Sequence, residues 1–189
     1  MRPRCPRIAW LCGALLLSAA TTAPATTLLQ MSLSKMAHTA TAIVHARCIG
    51  NSTAWDAGEI WTFSSFDTKE VWSGSAPARF TVRLLGGRLG NLTSTVSGVP
   101  RFRAGEEVVL FLESTPRGDF TVLAWQEGTF RVGRDPRTGE ASVTQDSASL
   151  PTFDATSHQF RVEGVRHMPL REFRARIADS LRAAEGRDR

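Results

Sequence analysis

Apolar and polar positions alternate along most of this chain, and the period changes only near its two ends. Residues 78–85 (ARFTVRLL) put Phe80, Val82 and Leu84 on one face and Arg79, Thr81 and Arg83 on the other. That is the pattern of a half-buried antiparallel strand. The longest strand pattern runs over 59–72 (EIWTFSSFDTKEVW). Trp61 and Phe63 share one face, Phe66 and Thr68 the other, and the phase slips near Ser64 and Ser65 or near Lys69 and Glu70. A slip inside one strand predicts a β-bulge, which bends the strand so that it serves two parts of a curved sheet. Residues 42–49 read as a first strand, 51–58 as a polar loop and 91–97 as a weak strand. Val108 to Leu112 is apolar without interruption, so 107–113 predicts a strand buried on both faces at the centre of the core.

Two loops with Pro early and Gly late, 114–119 and 135–139, predict hairpins. The first joins 107–113 to a strand at 120–125, and the second joins 129–134 to 141–145. Gly128 predicts a kink between 120–125 and 129–134. Residues 146–157 read as a polar loop and 159–163 as a short strand. At the N-terminal end Leu33, Met36, Ala37 and Ala40 recur at helical spacing, and Ser32 stands where a helix cap is needed. At the other end Leu170, Phe173, Ile177 and Leu181 form one stripe behind Pro169, predicting a helix over 169–185. Closely spaced strands with helices only at the ends predict a mainly β, mostly antiparallel fold that closes into a small barrel.

The first 25 residues carry an address. Arg2, Arg4 and Arg7 precede an apolar stretch over 8–20, and Ala23-Pro24-Ala25 supplies small residues for cleavage between Ala25 and Thr26. This is the layout of a secretory signal, with cleavage after Ala20 as the competing position. The apolar stretch is too short to span a membrane, so the mature chain is expected to lack a span and to be periplasmic or extracellular. Ala9-Trp10-Leu11 before Cys12 lacks the small residue that lipoprotein processing requires. The domain is then 26–189, with Cys48 as its one thiol, so no intramolecular disulfide staples it. The charge changes meaning as well. The full chain has 23 Lys+Arg against 18 Asp+Glu, net +5. Taking the three signal arginines from the 23 leaves 20 against 18, a net +2 that is poor support for a nucleic-acid partner.

Residues 42–50, 62–74 (TFSSFDTKEVWSG) and 102–112 (FRAGEEVVLFL) together resemble a pattern common in uncharacterised secreted bacterial proteins. More distantly they resemble the netrin-like modules that include the tissue inhibitors of metalloproteinases. The turn Ser73-Gly74 and the pair Gly105-Glu106 stand where those modules end a long strand and open an apolar one. The resemblance implies an OB-like barrel. It does not bring the inhibitory site with it. Those inhibitors place a mature N-terminal Cys on a catalytic zinc and depend on disulfides, whereas this chain would begin at Thr26.

The remaining chemistry is sparse. His38, His45, His158 and His167 show no metal-ligand spacing, and no GxSxG elbow is present. Gly86-Gly87-Arg88-Leu89-Gly90 lacks the Lys-Ser/Thr ending of a phosphate loop and reads as a tight turn. Glu106 and Glu107 point to opposite faces of one strand, so they cannot share a proton. No cofactor is implied. Trp61, Phe63 and Trp72, with Arg101, Phe102 and Arg103, are the candidate binding residues. Three functions stay open. The first is an exported non-enzymatic module that binds an extracytoplasmic protein, such as an extracellular protease, or an envelope polymer. The second is a secreted enzyme assembled from distant residues, and the third an oligonucleotide-binding OB module.

Overall fold

The computed structural model describes residues 31–150, 152–154, 158–161 and 164–185. The expected signal over 1–25, its cleavage between Ala25 and Thr26, and the last four residues lie outside the described residues. The first described element is helix α1, Leu33–Thr39, with Ser32 as its cap: the Lys35 N–H donates to Ser32 Oγ at 3.2 Å. Its short apolar side buries Met36 and Ala37.

Strands β1 (Ala42–Asp56), β2 (Glu59–Gly74) and β3 (Arg79–Leu85) follow as an antiparallel meander. β4 (Gly87–Leu89) and β5 (Leu92–Ser94) make a small hairpin. β6 (Glu107–Ser114) and β7 (Phe120–Val122) form the next hairpin. β6 also pairs with β1, and β7 with β3, so β1-β2-β3-β7-β6-β1 is a closed ring. The β3–β7 bridge is parallel, and the other pairings among the described residues are antiparallel. The chain between β3 and β6 reverses the sense in which the second hairpin arrives.

The sheet continues past the ring. β8 (Thr129–Arg134) pairs with β6, β9 (Ala141–Gln145) with β8, and β12 (Met168–Pro169) with β9. β10 (Thr152–Asp154) and β11 (Gln159–Arg161) pair with each other inside the segment read as loop and short strand. Helix α2, Leu170–Glu185, packs its Phe173, Ile177 and Leu181 stripe back onto the sheet extension.

This layout explains the uninterrupted apolar strand. Val108, Leu110 and Leu112 of β6 face the barrel interior with Val44, Phe66, Phe80 and Val82. Val109 and Phe111 face the other way, into a second core with Ile43, Phe130, Phe173 and Ile177. β1 and β6 are therefore walls shared by two cores. The predicted bulge is present. Across from β1, His45 pairs with Glu70 and Ala46 with Thr68, which leaves Lys69 as an extra residue on β2. Further shifts lie at Trp72 and Ile49.

Three boundaries differ from the sequence pattern. β1 runs on to Asp56 because its polar end still pairs with β2 beyond the barrel. The weak strand expected over 91–97 is only the arm Leu92–Ser94. The strand expected over 120–125 stops at Val122, since Ala124 and Trp125 both adopt φ near +51° and turn the chain. Gly128 lets that turn close: a Cβ there would lie 2.1 Å from the Leu123 carbonyl oxygen.

Candidate functional site

The outer wall of β2 and β3 carries the most organised polar and aromatic surface. Residues opposite one another in an antiparallel pair share a face. The register pairs Trp61 with Leu85, Phe63 with Arg83, Ser65 with Thr81 and Asp67 with Arg79. Ile60, Thr62, Ser64 and Phe66 alternate inward and are buried, so Trp61 and Phe63 stand outward, half-buried. On the β1 side their partners are Ala54 and Ser52, both small.

Arg83 organises this wall. Its guanidinium lies 4.2 Å from the Trp61 ring centre and 5.8 Å from that of Phe63. It donates to Asp56 at the tip of the β1–β2 hairpin at 2.5 Å and approaches Asp119 of the β6–β7 turn at 4.0 Å. Arg117 of the same turn also donates to Asp56, at 2.5 Å. Hydrogen bonds from Arg117 and Arg83 hold the Asp56 carboxyl below its ordinary range. Arg79 and Asp67 form a further pair at 2.8 Å. Arg79, Arg83 and Arg117 thus meet Asp56, Asp67 and Asp119, and the wall is charge-balanced. Two buried donors without a hydrogen-bond partner, Trp61 Nε1 and Arg83 Nε, also sit here.

The other sequence candidates are elsewhere. Phe102 is buried in the barrel core, edge-on to Phe66 with ring centres 5.1 Å apart. Arg131 covers its other side at 5.0 Å. Arg101 is an anchor: it donates to the Gly86 and Leu85 carbonyls at 3.2 Å each and ties the loop before β6 to the end of β3. Arg103 is exposed. Trp72 belongs to the second core, 6.1 Å from Phe173 and 6.0 Å from His45, and its Nε1 donates to Glu70 at 3.0 Å. Only Trp61 and Phe63 of the six come together on one surface. Their companions Arg83, Asp56 and Arg117 escape sequence reading because each arrives from a different strand or turn.

A second cluster surrounds Glu107, whose side chain is 8% exposed. His45 Nε2 lies 2.7 Å from its Oε1 and Arg134 Nη2 2.9 Å from the same oxygen. Lys69 Nζ lies 2.6 Å from Oε2, and Arg47 Nη2 3.5 Å from it. The bulge is what turns Lys69 toward this carboxylate. Burial alone would raise the Glu107 pKa; hydrogen bonds from Lys69 and His45 outweigh it and hold the carboxyl at about 2. Burial pushes His45 below its ordinary value despite Glu107, so near neutrality the uncharged ring donates its Nε2–H to the carboxylate. The sequence signal was a polar residue within one apolar run, His45 in β1, and one at the head of another, Glu107 just before Val108 in β6. Glu106 points away to Arg131, as alternation requires. Cys48 is buried in the barrel, and burial raises its thiol pKa.

No protein family, curated protein or solved structure matches this chain.

Proposed function

We propose that this protein is an exported, non-enzymatic binding module with an OB-like barrel, and that its ligand docks on the Trp61–Phe63 wall. The ring order β1-β2-β3-β7-β6-β1 with a parallel β3–β7 closure supports the OB reading. OB barrels bind oligonucleotides and oligosaccharides on the face of their second and third strands, between neighbouring loop tips. Here that face holds the two outward aromatics, with Asp56 and Arg117 at the tips. The observation that carries the reading is the Arg83 guanidinium stacked on Trp61 and tied to Asp56.

The charge balance selects among ligands. A nucleic acid would need uncompensated cations along its backbone track. On this wall each arginine is matched by a carboxylate. A glycan strand of an envelope polymer fits better, since sugar rings stack on Trp and Phe while hydroxyls bond to Asp and Arg. Such a ligand also offers acceptors to the orphan donors Trp61 Nε1 and Arg83 Nε as it displaces the stack.

The test is retention on isolated cell-envelope fractions. A central buried Trp typically contributes 2 kcal/mol or more at an interface, so Trp61→Ala with Phe63→Ala is expected to weaken retention by at least about tenfold. Melting temperature should fall little, because both side chains are half-buried. Binding should also vary only slightly between low and moderate salt, where a nucleic-acid site would lose roughly a thousandfold. Equal retention of the double variant would overturn this reading, and a steep salt slope would transfer the face to oligonucleotides.

A further inference from the structure

The aromatic wall is neutral, but the cluster around Glu107 is not. Three permanent cations, Arg47, Lys69 and Arg134, surround one carboxylate, so two positive charges stand in excess. The neighbouring acids cancel one of them and leave one, because Glu106 and Asp146 share a single guanidinium. Glu106 and Asp146 are taken by Arg131, and Glu70 by Arg174 and the Trp72 N–H. His45 is neutral near pH 7 and adds charge only on acidification.

The excess is also directed. A carboxylate offers about four lone-pair sites. Glu107 spends them on His45 and Arg134 at one oxygen and on Lys69 and Arg47 at the other. Each guanidinium carries about five N–H donors in a planar fork. Among the described residues Arg134 spends one of them, on Glu107, and Arg47 makes only its 3.5 Å ion pair. Both heads are about half-exposed, at 52% and 54%. They line a groove of about 360 Å³ with Gly105, Glu106, Arg131 and Val132. Glu107 holds the two forks side by side while their remaining donors face an open cleft.

We propose that this groove is a phosphate-binding site, with Arg47 and Arg134 as the ligating forks, Lys69 as supporting charge and Glu107 as the residue that positions all three. A phosphate group supplies the acceptor geometry that paired guanidiniums match and the negative charge that offsets the excess. The site lies on the β1, β6 and β8 side of the molecule and is independent of the aromatic wall. The phosphate can be free or part of a diester in a polymer or lipid headgroup.

The experiment is calorimetric titration of the full chain with inorganic phosphate in one arm and dimethyl phosphate in the other. Saturable binding is expected in at least one arm. Arg47→Gln with Arg134→Gln is expected to weaken it by at least about tenfold, the loss of roughly one charge-assisted contact. Arg88→Gln, on the β4–β5 hairpin, should bind as the parent does. Arg47→Lys with Arg134→Lys keeps the charge without the forks and should recover only part of the affinity, with circular dichroism confirming the fold of each variant. Preference for inorganic phosphate points to a free or terminal group; equal or better binding of the diester points to a polymer or headgroup. No response in either arm, or an undiminished response in the Gln double variant, overturns the proposal.

Discussion

Replacing Phe130 by alanine is expected to cost about 3–5 kcal/mol of folding stability, the range for deleting a fully buried phenylalanine. Phe130 has no exposed surface and links the two halves of the second core. Its ring lies 5.4 Å from Phe111 on β6 and 4.5 Å from Phe173 on α2. Truncation would open a cavity between the sheet and a helix tethered to it mainly by side chains. A rigid wall on one side limits collapse into that cavity, which keeps the cost high. Chemical denaturation would measure the loss. Hydrogen exchange should show it concentrated in residues 170–181, because the helix loses its anchor while the barrel core on the other face of β6 keeps its own packing. A cost below about 1 kcal/mol, with helix protection unchanged, would mean that the second core is not the cohesive unit described.

The second large effect is electrostatic. Glu107→Gln should destabilise the protein by about 3 kcal/mol at neutral pH, the scale for removing one partner of a buried ion pair whose carboxyl is held at about 2. Partial exposure of Arg47, Lys69 and Arg134 keeps the figure at the low end of the range for breaking a buried ion pair. The pH dependence has a definite sign. Because the folded pKa is depressed, the contribution is complete above the unfolded value of 4.5 and is lost as pH falls toward about 2. His45 acts in the same direction at higher pH. Its folded pKa is lowered from 6.5, so the native state resists protonation, and stability declines as pH drops below that value. The parent should therefore weaken in two stages on acidification. The glutamine variant should lose the lower stage, so the gap between the two proteins narrows from pH 7 to pH 3. A gap that stays constant would place the effect in packing and not in charge.

The legibility of this fold from its sequence follows the physics of each part. Where burial is one-sided, alternation marks it directly: Phe80, Val82 and Leu84 face inward as the pattern predicts. The bulge at Lys69 was legible for the same reason, since a phase slip has few other causes. Ser32 and the Leu170, Phe173, Ile177 stripe carried local signals for their helices. Other features depend on tertiary pairing that no local pattern encodes. The polar end of β1 stays a strand because β2 is there to pair with it. Ala124 and Trp125 turn the chain in a conformation that neither residue favours. Phe102 and Trp61 are equal candidates in the sequence, as aromatics in or beside strand patterns, yet one fills the barrel and the other lines its outside. The aromatic wall was half legible: Trp61 and Phe63 alternate visibly, but Arg83 acquires its place only when the hairpin tips bring Asp56 and Arg117 to it. The Glu107 cluster draws on four strands, β1, β2, β6 and β8, and only His45 inside one apolar run and Glu107 at the head of another announced it.

A ligand bound across the outer wall of β2 and β3 would shield the backbone of both strands. The most direct test of such binding is hydrogen exchange of the full chain, free and saturated with glycan strands solubilised from the cell envelope. New protection is expected to be confined to residues 59–65, 79–85 and 115–119, the wall and the turn that borders it. Protection centred elsewhere, or no change at saturating glycan, would contradict binding at this wall.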